Sequence, residues 1–128
     1  MTVSSFVLIV FVSLAGSLGA LARYLLGRYI AERVSSQFPS GTLLINVSGA
    51  FLIGLLFTLT GRNFLSVYLQ TILATGFLGG YTTFSTMSWE GVQLTRGGST
   101  PLGLLYFGGS VLLGLLAAVL GMALGWRL

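Results

Sequence analysis

Mostly apolar stretches alternate with short polar segments along this chain. The apolar stretches lie at approximately residues 4–24, 41–61, 66–94 and 101–126, and most of the charged residues fall between or at the ends of them. A helix needs about 20 predominantly apolar residues to cross a bilayer, and each stretch is long enough. The pattern predicts an all-α integral membrane protein with four transmembrane helices in a single domain, residues 1–128.

The composition excludes a soluble fold and most enzyme chemistry. The chain is 55% hydrophobic and only 6% charged, with a mean hydropathy of +0.98, whereas a soluble domain carries about 25% charged residues. It contains neither His nor Cys, which removes the usual nucleophile pairs and zinc sites. Its scattered arginines are typical of anchoring at a membrane interface. We therefore expect a protein that is not an enzyme, lies in lipid and binds no nucleic acid.

The arginines leave the direction of insertion open. In a four-span topology, one side of the membrane holds two arginines, Arg62 and Arg127. The other side holds three, Arg28, Arg33 and Arg96, when Arg23 at the end of the first stretch is not counted. This bias is too weak for the positive-inside rule to fix an orientation. Either the chain simply has few charges, or it inserts in both directions and assembles as an antiparallel pair.

Small residues recur four positions apart, a spacing that lets membrane helices approach closely. The pairs are Ala15 and Gly19, Gly114 and Ala118, and Gly121 and Gly125. Four thin helices packed in this way leave little internal space. A transport path would therefore lie between subunits.

The third apolar stretch has an unusual centre. Gly79 and Gly80 are adjacent, and six hydroxyl residues follow within positions 81–88. Glycine costs about 1 kcal/mol relative to alanine inside a helix, whereas a broken helix can use its freed carbonyls to coordinate a small cation. The segment predicts a helix that is broken at mid-membrane depth. The alternative is a continuous helix whose Gly, Ser and Thr residues pack against a neighbour.

Neutral hydrogen-bonding side chains recur at helical spacing in three of the stretches. In the second stretch they are Thr42 and Asn46, and in the fourth stretch they are Tyr106 and Ser110. In the third stretch they are Thr82, Ser85 and Thr86, which lie beside a helical face formed by Phe84, Met87 and Ser88. Hydroxyl and amide groups donate hydrogen bonds, and aromatic rings have electropositive edges. Each group alone could simply form hydrogen bonds between helices, but the set favours a path for a small anion.

Three segments resemble the CrcB/Fluc family of fluoride channels. They are GSLGALAR at 16–23, GTLLIN at 41–46 and TGFLGGYTTFST at 75–86. The resemblance implies passive export of cytoplasmic fluoride across the cell inner (plasma) membrane, through two pores of an antiparallel, dual-topology homodimer. It also implies a structural sodium ion on the dimer axis, held by the main-chain carbonyls of Gly79 and Thr82.

The resemblance also assigns individual residues. Asn46 and Phe84 correspond to the pore asparagine and the first pore phenylalanine, and Arg23 and Glu90 would lie in the vestibule at the pore mouth. The remaining pore positions are Thr42, Thr83, Ser85, Thr86, Ser88, Tyr106 and Ser110. The chain departs from the family in two places, because Met87 replaces a second phenylalanine and Gly114 replaces a second serine. We hypothesise that Met87 is a hydrophobic lining and that nearby hydroxyls coordinate the anion.

Two other functions are open from the residues alone. A small four-helix, dual-topology drug or cation transporter would need a mid-membrane carboxylate, and neither glutamate lies in the first stretch. Glu90 lies near the end of the third. A purely structural membrane subunit would explain the glycines, but neither Asn46 nor the glycine-rich centre of the third stretch.

Overall fold

The computed structural model describes residues 4–128, and their regular elements are all helical. These elements are α1 (Ser4–Arg33), α2 (Ser40–Gly61), α3 (Val67–Gln70), a π-helical segment (Thr71–Leu78), α4 (Gly79–Tyr81), α5 (Phe84–Arg96) and α6 (Thr100–Arg127). Three helical segments are long and apolar enough to cross a membrane, namely Ser5–Arg33, Ser40–Gly61 and Thr100–Arg127. The fold is that of an all-helical protein compatible with a membrane.

The first helix continues beyond the apolar stretch that predicts it. The stretch ends near residue 24, whereas α1 ends at Arg33. In its last turns, Arg28 Nε lies 3.5 Å from Glu32 Oε2, an ion pair at i, i+4 spacing, which is favourable on an exposed helical surface. Charged residues end an apolar span, but they do not end a helix.

The chain between Val67 and Arg96 is helical except at two residues. From α3 through the π-helical segment to α4, the helical path continues as far as Tyr81. Thr82 and Thr83 are extended, with φ/ψ of −80°/159° and −151°/115°, and α5 begins at Phe84. We call Thr82 and Thr83 the interruption.

Glycines bring α1 against the π-helical segment and α4. A Cβ atom added to Gly19 would overlap the carbonyl oxygen of Phe77, and one added to Gly80 would overlap the carbonyl oxygen of Gly16. The two backbones therefore touch directly, as they do at other membrane contacts built from small residues.

Glycines also join α2 to α6. A Cβ atom on Gly54 would overlap the carbonyl oxygen of Ala118, and one on Gly121 would overlap that of Phe51. Gly114 is different, because within the described residues no atom lies within 4 Å of the place where its Cβ would be. Ala118 and Gly121 thus serve the contact with α2, and Gly114 does not.

Most large apolar side chains lie on the outside of the single chain, as Leu104 and Leu115 do on α6. Among the buried exceptions, Met87, Leu94 and Tyr106 form a small core between α5 and α6, and Ile45 and Leu78 are buried elsewhere. Phe38, Leu43 and Leu102 pack against this core. An exposed apolar exterior of this extent suits lipid or a second copy better than water.

Candidate functional site

Asn46 of α2 binds both main-chain groups of Thr83. Its Nδ2 donates to the Thr83 carbonyl oxygen at 2.9 Å, and its Oδ1 accepts from the Thr83 N–H at 2.8 Å. An extended residue between two helices has unpaired backbone groups, which are costly inside a protein or membrane. The carboxamide satisfies both groups and leaves one N–H of its own free for another acceptor.

The interruption diverts two N–H groups that would otherwise bond within the helix. In a continuous helix, Thr83 N–H would donate to the Gly79 carbonyl and Thr86 N–H to the Thr82 carbonyl, four residues earlier. Instead, Thr83 N–H donates to Asn46, and Thr86 N–H donates to Thr83 Oγ1 at 3.1 Å. The carbonyls of Gly79 and Thr82 are thereby released from their helical donors.

Side chains from α1 and α2 hold the chain just before the interruption. Arg23 Nε donates to the carbonyl oxygen of Gly80 at 3.1 Å. Ser48 Oγ lies 3.0 Å from the hydroxyl oxygen of Tyr81. No sequence pattern singles out Ser48 or Tyr81 as a site residue, because Ser48 stands two residues after Asn46 and does not share its helical face.

The released carbonyls are suitable ligands for a small hard cation. Carbonyl oxygen is a ligand that such ions accept, and Gly79 is exposed on the surface of the chain. Two carbonyls from one chain do not complete a coordination shell, whereas two copies facing each other would supply four. The carbonyls of Gly79 and Thr82 therefore fit part of the coordination shell of a cation such as sodium.

A cavity of about 720 Å³ opens between α1, the start of α2 and α5. Five of the residues assigned from the sequence line it: Arg23, Thr42, Thr83, Thr86 and Glu90. It therefore brings together both predicted vestibule residues and three predicted pore residues. Trp89 and Tyr24 also line the cavity, although no motif distinguished them from other interfacial aromatic residues.

Tyr106 reaches the site only through its hydroxyl group. Its side chain is completely buried (0% exposed), and its ring makes an edge contact with Phe38, with 5.4 Å between the ring centroids. The hydroxyl donates to Glu90 Oε1 at 3.2 Å. Tyr106 therefore connects the core between α5 and α6 to a carboxylate that lines the cavity.

Phe84 and Met87 have different surroundings, although they are three residues apart on α5. Phe84 is 69% exposed, and its ring meets that of Phe107 at a centroid distance of 6.3 Å. Met87 is 7% exposed and belongs to the core cluster with Tyr106. Ser85 is exposed like Phe84, and its Oγ lies 3.3 Å from Thr83 Oγ1. A single chain thus presents Phe84 outward and Met87 inward.

Two buried hydroxyl groups have no hydrogen-bond partner within residues 4–128. They are Ser88 Oγ on α5 and Ser110 Oγ on α6. Buried polar atoms are nearly always hydrogen-bonded, and an unpaired one needs an explanation. Both residues belong to the polar set that the sequence singled out, and a bound acceptor would satisfy them.

Comparison with known proteins adds a family and named relatives. The model of a family described as "CrcB-like protein, Camphor Resistance (CrcB)" matches residues 10–122. A protein of Acidobacterium capsulatum named "Fluoride-specific ion channel FluC" is 48% identical over 118 residues, which cover 91% of this chain and 94% of that protein. Proteins with the same name from Solibacter usitatus and Thermus thermophilus are 48% and 46% identical over 117 residues, covering 91% of this chain and 96% and 92% of their own.

Proposed function

The chain belongs to the CrcB family, and from this premise we propose that it is a fluoride-selective ion channel. In this role it conducts fluoride passively out of the cytoplasm across the cell inner (plasma) membrane. The proposal rests on the relatives compared above, whose names state this function and which match nearly the whole chain. A proton-coupled drug or cation carrier is disfavoured, because the first helix contains no carboxylate until Glu32 near its end.

We place four membrane crossings in each chain. The three long helices supply three of them, and the segment from α3 to α5 supplies the fourth, interrupted at Thr82 and Thr83 within the membrane. The functional unit is an antiparallel homodimer with two pores. The exposed apolar exterior and the weak arginine bias support an arrangement in which a second copy covers part of the surface in the opposite orientation.

The anion path begins in the cavity and continues along the hydroxyl groups. Arg23 supplies positive charge at the mouth, and Thr42, Thr83 and Thr86 supply hydroxyls around it. Deeper, the hydroxyls of Ser88 and Ser110, which have no partner among the described residues, are donors for an ion that has lost its water. Phe84 and Ser85, exposed on one chain, line the path from the partner's side.

The carbonyls of Gly79 and Thr82 would hold a structural sodium ion at the dimer axis. When bound, the ion supplies a fixed positive charge that draws the carbonyls of two chains together. The diverted N–H groups of Thr83 and Thr86 keep these oxygens available. The exposed position of Gly79 supports the approach of a second chain at this residue.

Ion efflux from proteoliposomes tests the channel function. Vesicles loaded with potassium fluoride should release fluoride rapidly once valinomycin lets potassium balance the charge, and an imposed pH gradient should not drive the release. Vesicles loaded with potassium chloride should retain their chloride. Equal release of both anions, or release that requires a proton gradient, would contradict the proposal.

Labelling of a single cysteine tests the dual topology. The native chain has no Cys, so Ser35→Cys, in the exposed segment between α1 and α2, introduces the only thiol. If insertion is unbiased, a membrane-impermeant maleimide should label roughly half of the copies in sealed vesicles. Complete labelling or complete protection would show one orientation and exclude the antiparallel dimer.

A further inference from the structure

We propose that Asn46 is a positioning residue for the cation site and does not serve only as an anion donor in the pore. This inference rests on the proposed sodium site at Gly79 and Thr82. The carboxamide holds the main chain of Thr83 in its extended conformation and so prevents the Gly79 carbonyl from recovering its helical hydrogen bond.

Asn46 controls Gly79 through a single N–H group. The Thr83 N–H can donate either to Asn46 Oδ1, as it does at 2.8 Å, or to the carbonyl of Gly79, as it would in an unbroken helix. The two acceptors compete for one proton. A side chain at position 46 that cannot accept leaves this N–H without its partner, and the carbonyl of Gly79 is the acceptor that it would recover in an unbroken helix.

The second hydrogen bond of Asn46 sets the direction of the carboxamide. Nδ2 donates to the Thr83 carbonyl at 2.9 Å, so both atoms of the amide bind one residue, and the side chain cannot rotate without losing both bonds. On the other side, the chain is held where Arg23 binds the Gly80 carbonyl. The carbonyl of Gly79 belongs to the residue immediately before the first of these two fixed points.

Asn46 therefore has two separable roles. Its Oδ1 and one N–H hold the interruption, and its remaining N–H is available for an anion. If Asn46 acted only in the pore, its replacement would change fluoride flux and leave the sodium response unchanged. If Asn46 acted only in packing, its replacement would lower stability by the same amount with and without sodium.

The test is the sodium dependence of thermal unfolding, measured on the full-length protein in detergent with sodium or with N-methylglucamine as the cation. Wild type should unfold at a higher temperature in sodium. Asn46→Ala should raise the sodium concentration for half-maximal stabilisation by about 10- to 100-fold, as is common when an outer-shell partner of a metal site is lost. Asn46→Asp keeps an acceptor for the Thr83 N–H but loses the donor to the Thr83 carbonyl, so its sodium response should fall between those of wild type and Asn46→Ala, while fluoride efflux is lost.

Thr60→Ala is the matched control, because it removes a side-chain hydrogen bond from the same helix, to the Leu56 carbonyl, about four turns away from Asn46. It should respond to sodium as wild type does. A wild-type sodium response in Asn46→Ala, or its loss in Thr60→Ala as well, would overturn the positioning role. If wild type conducts fluoride but shows no sodium response, the cation site and this inference fail together, whereas the channel function stands.

A measurement on the wild-type protein covers the case in which Asn46→Ala does not fold. Hydrogen exchange at the Thr83 amide, followed by NMR, should be equally slow with and without sodium, because the acceptor is a side chain and not a cation-dependent carbonyl. Exchange that accelerates when sodium is removed would overturn the inference.

Discussion

The contact of α1 with the π-helical segment and α4, and the contact of α2 with α6, are both made by glycines, but only the first adjoins an interrupted helix. In each contact, an arginine from the opposite side also donates to a glycine carbonyl, Arg23 from within α1 and Arg62 from the residue that follows α2. Arg23 Nε binds the Gly80 carbonyl at 3.1 Å, and Arg62 Nη1 binds the Gly125 carbonyl at 2.7 Å.

The same hydrogen bond has a different effect in the two places. Gly125 lies in the last turn of α6, where carbonyls lack a helical donor in any case, so Arg62 only caps a helix end. Gly80 lies in the short helix before the interruption, so Arg23 satisfies a carbonyl in the middle of a segment that would otherwise be continuous. The contact of α2 with α6 is therefore a scaffold, whereas the contact of α1 with α4, together with the interruption, forms the site.

The largest expected effect comes from adding a methyl group to either glycine contact. Gly80→Ala and Gly121→Ala should each destroy the folded protein, because the new Cβ would overlap the main-chain oxygen of Gly16 or Phe51 and the helices would have to separate. Size-exclusion chromatography in detergent measures the folded fraction. Gly61→Ala is the control, since among the described residues nothing lies within 4 Å of its Cβ position. A normal elution profile for Gly80→Ala would refute the close contact.

Replacement of the two arginines should separate site from scaffold. Arg23→Gln should reduce fluoride efflux at least tenfold, because the Gly80 carbonyl loses its donor and the vestibule loses its charge. Arg62→Gln should lower the free energy of unfolding by about 1.5–3 kcal/mol, the usual contribution of a hydrogen bond to a charged group, and leave efflux per amount of folded protein unchanged. Proteoliposome efflux and thermal unfolding measure the two quantities. Equal effects of the two variants on efflux would remove the distinction.

A smaller effect is expected at two buried hydroxyl residues. Ser110 Oγ has no partner in the part of the chain described here, whereas Thr58 Oγ1, in the contact with α6, donates to the Gly54 carbonyl at 2.9 Å. Ser110→Ala should lower fluoride efflux severalfold without loss of stability, because it removes an unpaired donor. Thr58→Ser keeps its hydroxyl and should conduct as wild type does. Normal fluoride efflux in Ser110→Ala would contradict the assignment of Ser110 to the anion path.

The smallest effect on conduction is expected at Met87. Its side chain packs in the core with Leu94 and Tyr106, so Met87→Phe adds volume to a filled space and should cost about 1–3 kcal/mol of stability. The ratio of fluoride to chloride efflux should stay as in wild type, while throughput changes. Loss of selectivity in this variant would show that the identity of residue 87 determines discrimination.

The sequence predicts the long helices well, because lipid requires uncharged stretches of a minimum length. The stretch 41–61 and the helix α2 (Ser40–Gly61) have nearly the same limits. The sequence does not predict where α1 ends, since Arg28 and Glu32 form an ion pair and the helix continues to Arg33. The extent of an apolar stretch reflects contact with lipid and does not show how many further turns the helix makes beyond it.

The site is predicted in its residue types but not in its partners. The pairing of Asn46 with the Thr83 main chain depends on the relative position of two elements that are 37 residues apart, and no local pattern contains that information. Phe84 and Met87 share a helical face by spacing, yet one is exposed and the other buried, because burial depends on where α6 lies. The glycines indicate close contacts without naming the helices that meet.

The fluoride reversal potential in planar bilayers tests the channel assignment most directly. With wild-type protein and a fluoride gradient across the membrane, the account predicts a steady current that reverses at the Nernst potential for fluoride and is absent when chloride replaces fluoride on both sides. A current that reverses at the potential of chloride or of a cation, or the absence of any current from folded protein, would contradict it.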